Sequence, residues 1–217
     1  MKTNKSTLMV QLCLALGVVV SSCAPKLNTD WTKEGYTGHS YNKIVVVGIS
    51  KNLEARNSFE ATAVELFKKQ GLNAIPGINI FPPNMSEEQR KPENLIKVLK
   101  NNQVDGVITM SLIDSEESQR YERGETLTYP GGYYRFGRYY YRTYNTIQTP
   151  GYYVPTKSYL IESVLYDVSG ELTEDKEAMV WTGQSALVDP TSVESAAKSY
   201  TKKLVNHVLA EGVIKTQ

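Results

Sequence analysis

Apolar positions along the chain fall into blocks whose spacing changes several times, and each change predicts an element. The first block, Leu8 to Val20, is almost continuous, broken only by Gln11, Cys13 and Gly17. It is shorter than the about 20 apolar residues a membrane-spanning helix needs. With Lys2 and Lys5 ahead of it, it has the form of a secretory signal peptide. Residues 25–42 are polar, carry Pro25, Gly35 and Gly38, and show no sustained period; they are expected to be a tether, ending in a short turn around Trp31 and Tyr36.

From Lys43 the pattern becomes that of a folded body. Lys43-Ile44-Val45-Val46-Val47-Gly48-Ile49 is a β-branched run without alternation, the mark of a strand buried on both faces of a parallel sheet. Leu53 to Gln70 switches to helical spacing, with Phe59, Ala63, Leu66 and Phe67 on one side and Gly71 placed to stop the helix. Leu72 to Ile75 predicts a second strand. Ser86 and Gln89 have capping-box spacing, and Pro92 opens a helix carrying Leu95, Ile96 and Leu99. Val104 to Ile113 predicts a third strand. Strand and helix alternating through short links imply right-handed crossovers and a parallel core in the order 2-1-3.

The second half reads differently. Ser158–Val168 and Ala178–Val188 are two strands separated by a short polar link, hence an antiparallel hairpin added to the edge of the core. Asp189-Pro190 is expected to start a last helix whose stripe is Val193, Ala196, Ala197, Tyr200, Leu204, Val208 and Leu209. The expected fold is therefore α/β: a mixed five-stranded sheet, three parallel strands with βαβαβ crossovers plus an antiparallel hairpin, packed with about three helices.

Composition alters this picture at two places. The first is the end of the leading apolar block, Val20-Ser21-Ser22-Cys23. An aliphatic residue, two small ones and a cysteine resemble the lipobox of bacterial lipoprotein precursors, which implies lipidation of Cys23 and cleavage before it. The expected organisation is then a signal peptide at 1–22, a lipid-anchored tether at 23–42 and a single domain at 43–217. Cleavage removes Lys2 and Lys5 and no acid, so 24 basic residues become 22 against 23 acidic ones and the net charge moves from +1 to −1. Nothing in that balance calls for nucleic acid. Cys13 leaves with the leader, so no cysteine remains for a disulfide, a metal site or nucleophilic catalysis.

The second place is an insertion at about 121–156. From Tyr121 to Tyr159 lie 11 of the chain's 15 tyrosines, among glycines, and between Glu125 and Glu162 the only charges are Arg135, Arg138, Arg142 and Lys157. Tyrosine offers a flat apolar face and a hydroxyl at low entropic cost, and arginine stacks on it. Three readings follow: a flexible low-complexity insertion, or an extension of the hairpin, that binds nothing; a surface for another envelope protein or a second copy; or a platform for peptidoglycan or surface glycans. The candidate surface is Tyr133, Tyr134, Arg135, Arg138, Tyr139, Tyr140, Tyr141 and Arg142.

Catalytic patterns are sparse. Gly48-Ile49-Ser50-Lys51 lies where open sheets bind ligands but lacks the glycines of a dinucleotide turn or a phosphate loop. Gly183-Gln184-Ser185-Ala186 lacks the last glycine of a nucleophile elbow. His39 has no partner in sequence, His207 falls among helix-face residues, and Asp114, Glu116 and Glu117 read as a solvated strand edge. No enzyme, cofactor or metal is expected.

The lipobox, the Lys43–Gly48 run, Val104-Asp105-Gly106-Val107-Ile108-Thr109, the Tyr/Gly insertion, Leu165-Tyr166-Asp167-Val168, Val180-Trp181-Thr182-Gly183-Gln184-Ser185 and Asp189-Pro190 together resemble a broad group of small bacterial envelope lipoproteins. More distantly, the strand order is similar to the α/β domains of the curli-secretion lipoprotein family and of the Tol-system propeller protein. The resemblance implies a cell-envelope location, an outer-membrane lipid anchor and a binding or scaffold role, with another envelope protein or a glycan as partner. No catalytic residues carry over from it.

Overall fold

Ile44, Val45 and Val46 are completely buried, so the β-branched run is covered on both faces. The computed structural model describes residues 27–136, 138–170 and 178–216. The run forms β2 (Ile44–Ile49), followed by α1 (Leu53–Lys69), β3 (Ala74–Pro76), α2 (Pro92–Asn101) and β4 (Gly106–Glu122). β2 pairs in parallel with β3 on one side and β4 on the other, the expected 2-1-3 core. β7 (Tyr152–Asp167) adds antiparallel to β4, and β8 (Met179–Val188) adds to β7.

The sheet has six strands, not five, in the order β1-β8-β7-β4-β2-β3. The extra strand, β1 (Thr29–Thr32), comes from the stretch expected to be tether and runs antiparallel to β8. All four of its side chains are exposed, so no apolar pattern announces it. Leu27, just before it, is buried against Trp181 and Gly183; a Cβ on Gly183 would come within 2.5 Å of the Trp181 ring and 2.7 Å of Leu27. β5 (Thr126–Phe136) and β6 (Tyr139–Gln148) form a second, two-stranded sheet.

α1 and α3 (Val193–Ala210) pack together on one face, over Ile44, Val46, Ile108, Leu165 and Trp181. α2 covers part of the other face through Leu99, against Val45 and Val107. α1 ends as its sequence predicts: Gly71 takes φ +82, the Gly71 N–H donates to Lys68 O and the Leu72 N–H to Phe67 O, closing a Schellman motif. Ser86 and Gln89 bond reciprocally, but around a single turn of 3-10 helix ahead of α2. Asp189-Pro190 is not a helix start. Ser192 and Ser195 form the capping box of α3, while Asp189 has φ 45 and accepts the Lys157 N–H at 2.7 Å.

Candidate interaction surface

β4 and β7 are far longer than their apolar stretches. Past a bulge between Leu112 and Asp114 they remain paired, Asp114 opposite Leu160, out to Glu122 opposite Tyr152, with β4 leaving its neighbour after Ser111 and β7 leaving its neighbour beyond Ser158. β5 and β6 follow as the distal part. Beyond Ile113 the side chains of β4 are exposed on both faces down to Tyr121, and from Tyr152 to Lys157 only Thr156 of β7 is buried, so this part of the ribbon has no apolar core. From Asp114 to Phe136, at about 3.4 Å per residue, the ribbon is of order 70 Å long if straight.

What holds it is cross-strand pairing. Tyr121 faces Tyr153 with ring centroids 5.1 Å apart, and Lys157 Nζ lies 3.3 Å from Glu117 Oε1. Where the two parts join, the backbones cross closely. A Cβ on Gly124 would fall 1.8 Å from Thr149 O, and one on Gly151 would fall 2.1 Å from the Tyr121 hydroxyl. Thr149 closes the joint: its N–H donates to Glu125 O at 2.9 Å, and its Oγ1 accepts the Glu125 N–H at 2.9 Å. These glycines answer a steric demand.

All eight residues of the candidate surface come to the tip of the ribbon. The register sets Tyr133 opposite Arg142, Tyr134 opposite Tyr141 and Arg135 opposite Tyr140, with Phe136 opposite Tyr139. Arg138 sits in the turn and, like Arg142, is exposed. Behind the tip, Tyr144, Tyr152 and Tyr153 are 60%, 63% and 66% exposed, and Leu127 and Ile147 form an exposed apolar cross-strand pair. Cys23, the expected lipidation site, lies outside the described residues.

The ribbon is also unpaired at its edges among the described residues. β4 contacts β2 only as far as Ser111, and β7 contacts β8 only from Ser158. Beyond those points no further strand of the described residues pairs with either edge, although Asp189 still caps Lys157, accepting its N–H and donating its own N–H to Lys157 O at 2.8 Å. Pro130 and Pro155 interrupt these edges, as edge strands commonly require.

Sequence reasoning missed two features at the root of the ribbon. One is a buried ion pair. Glu60 is completely buried; its Oε1 accepts the Gly48 N–H at 2.9 Å and Arg56 Nε at 2.8 Å, and its Oε2 accepts the Ile78 N–H at 2.7 Å. Arg56 in turn donates to Phe81 O at 2.7 Å. The i,i+4 spacing of Arg56 and Glu60 was readable, but on an amphipathic helix such a pair is ordinarily exposed. The other is a cavity of about 420 Å3 beside Gly48, between the first turns of α1 and α3, walled by Phe59, Met110, Ile161 and Leu187. Its walls come from six elements, so no local motif encodes it.

Burial raises Tyr41 and Tyr200 far above the ordinary tyrosine value, and raises Tyr36 against the opposing effect of its bond to Tyr41. All three belong to the body. His207 is buried against Trp181 with Nε2 3.2 Å from Asp30 Oδ2, tying α3 to β1. The separation suits an ion pair, although the angles do not meet those of a hydrogen bond. His39 rests its ring against Tyr41 at 4.8 Å. Among the described residues no group of three metal-ligating side chains occurs, and no helix is long and apolar enough to cross a membrane.

No family model matches the chain, and no curated protein does. Among solved structures it is similar to a PelC dodecamer from Paraburkholderia phytofirmans, at 13% identity and TM-score 0.44, covering 87% of this chain and 99% of that one. It is also similar to lipoprotein GNA1162 from Neisseria meningitidis, at 12% identity and TM-score 0.38, covering 76% and 95%. Likenesses this distant are silent on function.

Proposed function

We propose that the chain is a lipid-anchored, non-enzymatic protein of the bacterial cell envelope, held to the outer membrane through Cys23. On this reading it serves as a binding or scaffold domain in envelope assembly or transport, and the two-stranded ribbon is its working surface. The observation that carries the reading is the ribbon. An isolated two-stranded hairpin is marginal in water, yet this one is long, keeps two open edges, and exposes tyrosines and arginines toward its tip. Such an edge accepts a partner strand by β-augmentation, and the flanking tyrosines supply the apolar contact that makes the pairing specific.

A protein partner is favoured over a glycan because Tyr144, Tyr152 and Tyr153 stand out into solvent rather than lining a groove. Crosslinking in intact cells followed by purification tests the role. The truncated protein replaces residues 123–151 with a two-residue Asn-Gly turn, which suits a hairpin. Partners captured by the full chain should be lost from the truncated one; recovery of the same partners would sink the ribbon's role. Retention of the full chain on peptidoglycan or polysaccharide beads, abolished by truncation, would favour the glycan reading instead. The anchor is tested separately, by palmitate labelling that Cys23→Ala abolishes and by membrane fractionation.

A further inference from the structure

The cavity of about 420 Å3 at the root of the ribbon has the size of a ligand site. Four of the polar side chains in its wall are already engaged, Ser50 by accepting the Asn52 N–H. Asn52 accepts the Ala55 N–H, Ser192 accepts the Ser195 N–H, and Arg56 is held by Glu60 and Phe81 O. Apart from Ser111 and Tyr159, what remains facing the space is mainly hydrocarbon, with Phe59, Met110 and Leu187 among it. A polar metabolite would be desolvated there without recompense, whereas a plain hydrocarbon chain would not. The rim continues the theme: Ile49 and Leu112 line the opening and are 57% and 55% exposed. Leu53 and Val188, each next in sequence to a lining residue, are exposed as well.

The course of the chain says which hydrocarbon is at hand. β1 runs antiparallel to β8 with Thr29 opposite Gln184, so each step back along β1 is a step forward along β8. Asn28 and Leu27, the first described residues, therefore lie toward the Leu187–Pro190 end, and Leu187 and Pro190 both line the cavity. Cys23 lies four residues before Leu27, a reach of at most about 14 Å. A lipoprotein cysteine carrying a diacylglyceryl group and an acylated amine has three chains, and two suffice for stable anchoring. We infer that the cavity takes one acyl chain of the lipid on this chain's own Cys23, docking the domain's ribbon-bearing end at the membrane surface while the remaining chains stay in the bilayer. This rests on the lipid-anchor reading above.

The test uses the full chain in cells fed a fatty acid that carries both a photoreactive diazirine and an alkyne. After irradiation the protein is purified through the alkyne and its peptides are mapped. The expected result is label on Cys23 together with crosslinks joining the Cys23 lipopeptide to peptides containing Phe59 and Ala196. Ala55→Phe, which places a ring at the mouth of the cavity from a partly exposed position, should remove those crosslinks and leave the label on Cys23 unchanged. Labelled Cys23 without the intramolecular crosslinks overturns this inference alone, as does a cavity crosslinked only to phospholipid or to another lipid. Unchanged crosslinks in a folded Ala55→Phe protein also overturn it. No label on Cys23 overturns the anchor reading and this inference with it.

Discussion

Glu60→Ala removes the acceptor on which the end of β2, the first turns of α1 and the loop after β3 all converge. The wild-type carboxylate is completely buried and takes three donors: Arg56 and the backbone amides of Gly48 and Ile78. Breaking a buried pair by deleting one partner costs about 3–5 kcal/mol, because the surviving charge stays buried and uncompensated. Each stranded amide adds about 1–3 kcal/mol unless water reaches it. With some water entering the space left by the carboxylate, the expected loss is about 4–6 kcal/mol. That is a large share of the about 5–15 kcal/mol that holds an ordinary domain together. Glu60→Gln keeps an oxygen for one amide but loses the charge, so it should fall between wild type and Ala. Urea unfolding of the chain lacking residues 1–22, followed by the fluorescence of buried Trp181, measures both at constant m. A loss below about 1 kcal/mol for Glu60→Ala would refute the argument, since it would mean that the carboxylate is solvated in the folded protein.

Gly183→Val should cost about 1–3 kcal/mol by overpacking, because its side chain would meet the Trp181 ring and Leu27; proteolysis at residues 27–32 should accelerate in parallel. Asp189→Ala loses the acceptor for the Lys157 N–H and leaves a left-handed backbone to alanine, an expected loss of about 1–2 kcal/mol by urea unfolding. Gly124→Val should disturb the joint of the ribbon, opening 126–148 to limited proteolysis while the urea midpoint of the body stays put. Burial raises Tyr41, Tyr200 and Tyr36 above the tyrosine value of about 10 that an unfolded chain has. The folded state therefore holds their protons longer, and the stability this provides is complete below about pH 10 and lost as the pH climbs past it. Urea midpoints measured from pH 8 to 11 should be level and then fall; a level curve throughout would contradict the burial of these hydroxyls.

The parallel core was legible because burial on both faces leaves a sequence no freedom: Ile44 to Val47 must all be apolar, and they are. α1 was legible at both ends for a similar reason, since a helix needs caps and Gly71 supplies one of them. β1 was not, because an edge strand held by backbone pairing to β8 imposes no apolar period on its side chains. The same cause hid the length of β4. Asp114 to Gln119 is polar on both faces, and only its register with Pro155 to Leu160, some 40 residues further along the chain, makes it a strand. For Asp189-Pro190 the local signal misled. An acid before proline suits a helix cap, but here the carboxylate is drawn to Lys157 across the hairpin, and the helix waits for Ser192. The eight candidate surface residues were picked out by composition, and the hairpin register brings them to one turn; composition carried no hint that they would sit on a second, two-stranded sheet.

Where the ribbon is rooted bears on what it can do. β4 and β7 are the two central strands of the six, each with a neighbour on its outer side, β2 for β4 and β8 for β7. A partner pulling on the tip would load these ladders along the strand direction, in shear, so that many hydrogen bonds would have to yield together. A ribbon rooted on edge strand β3 would have three residue pairs to resist the same pull. The change from Leu112 to Asp114 marks the switch between the two environments: before it a strand needs apolar side chains to be covered by helices, after it a strand needs polar ones to stay in water. One pair of strands thus forms the centre of the core at one end and an exposed two-stranded ribbon at the other. That arrangement is what the role proposed above, holding a partner at a distance from a lipid anchor, would require.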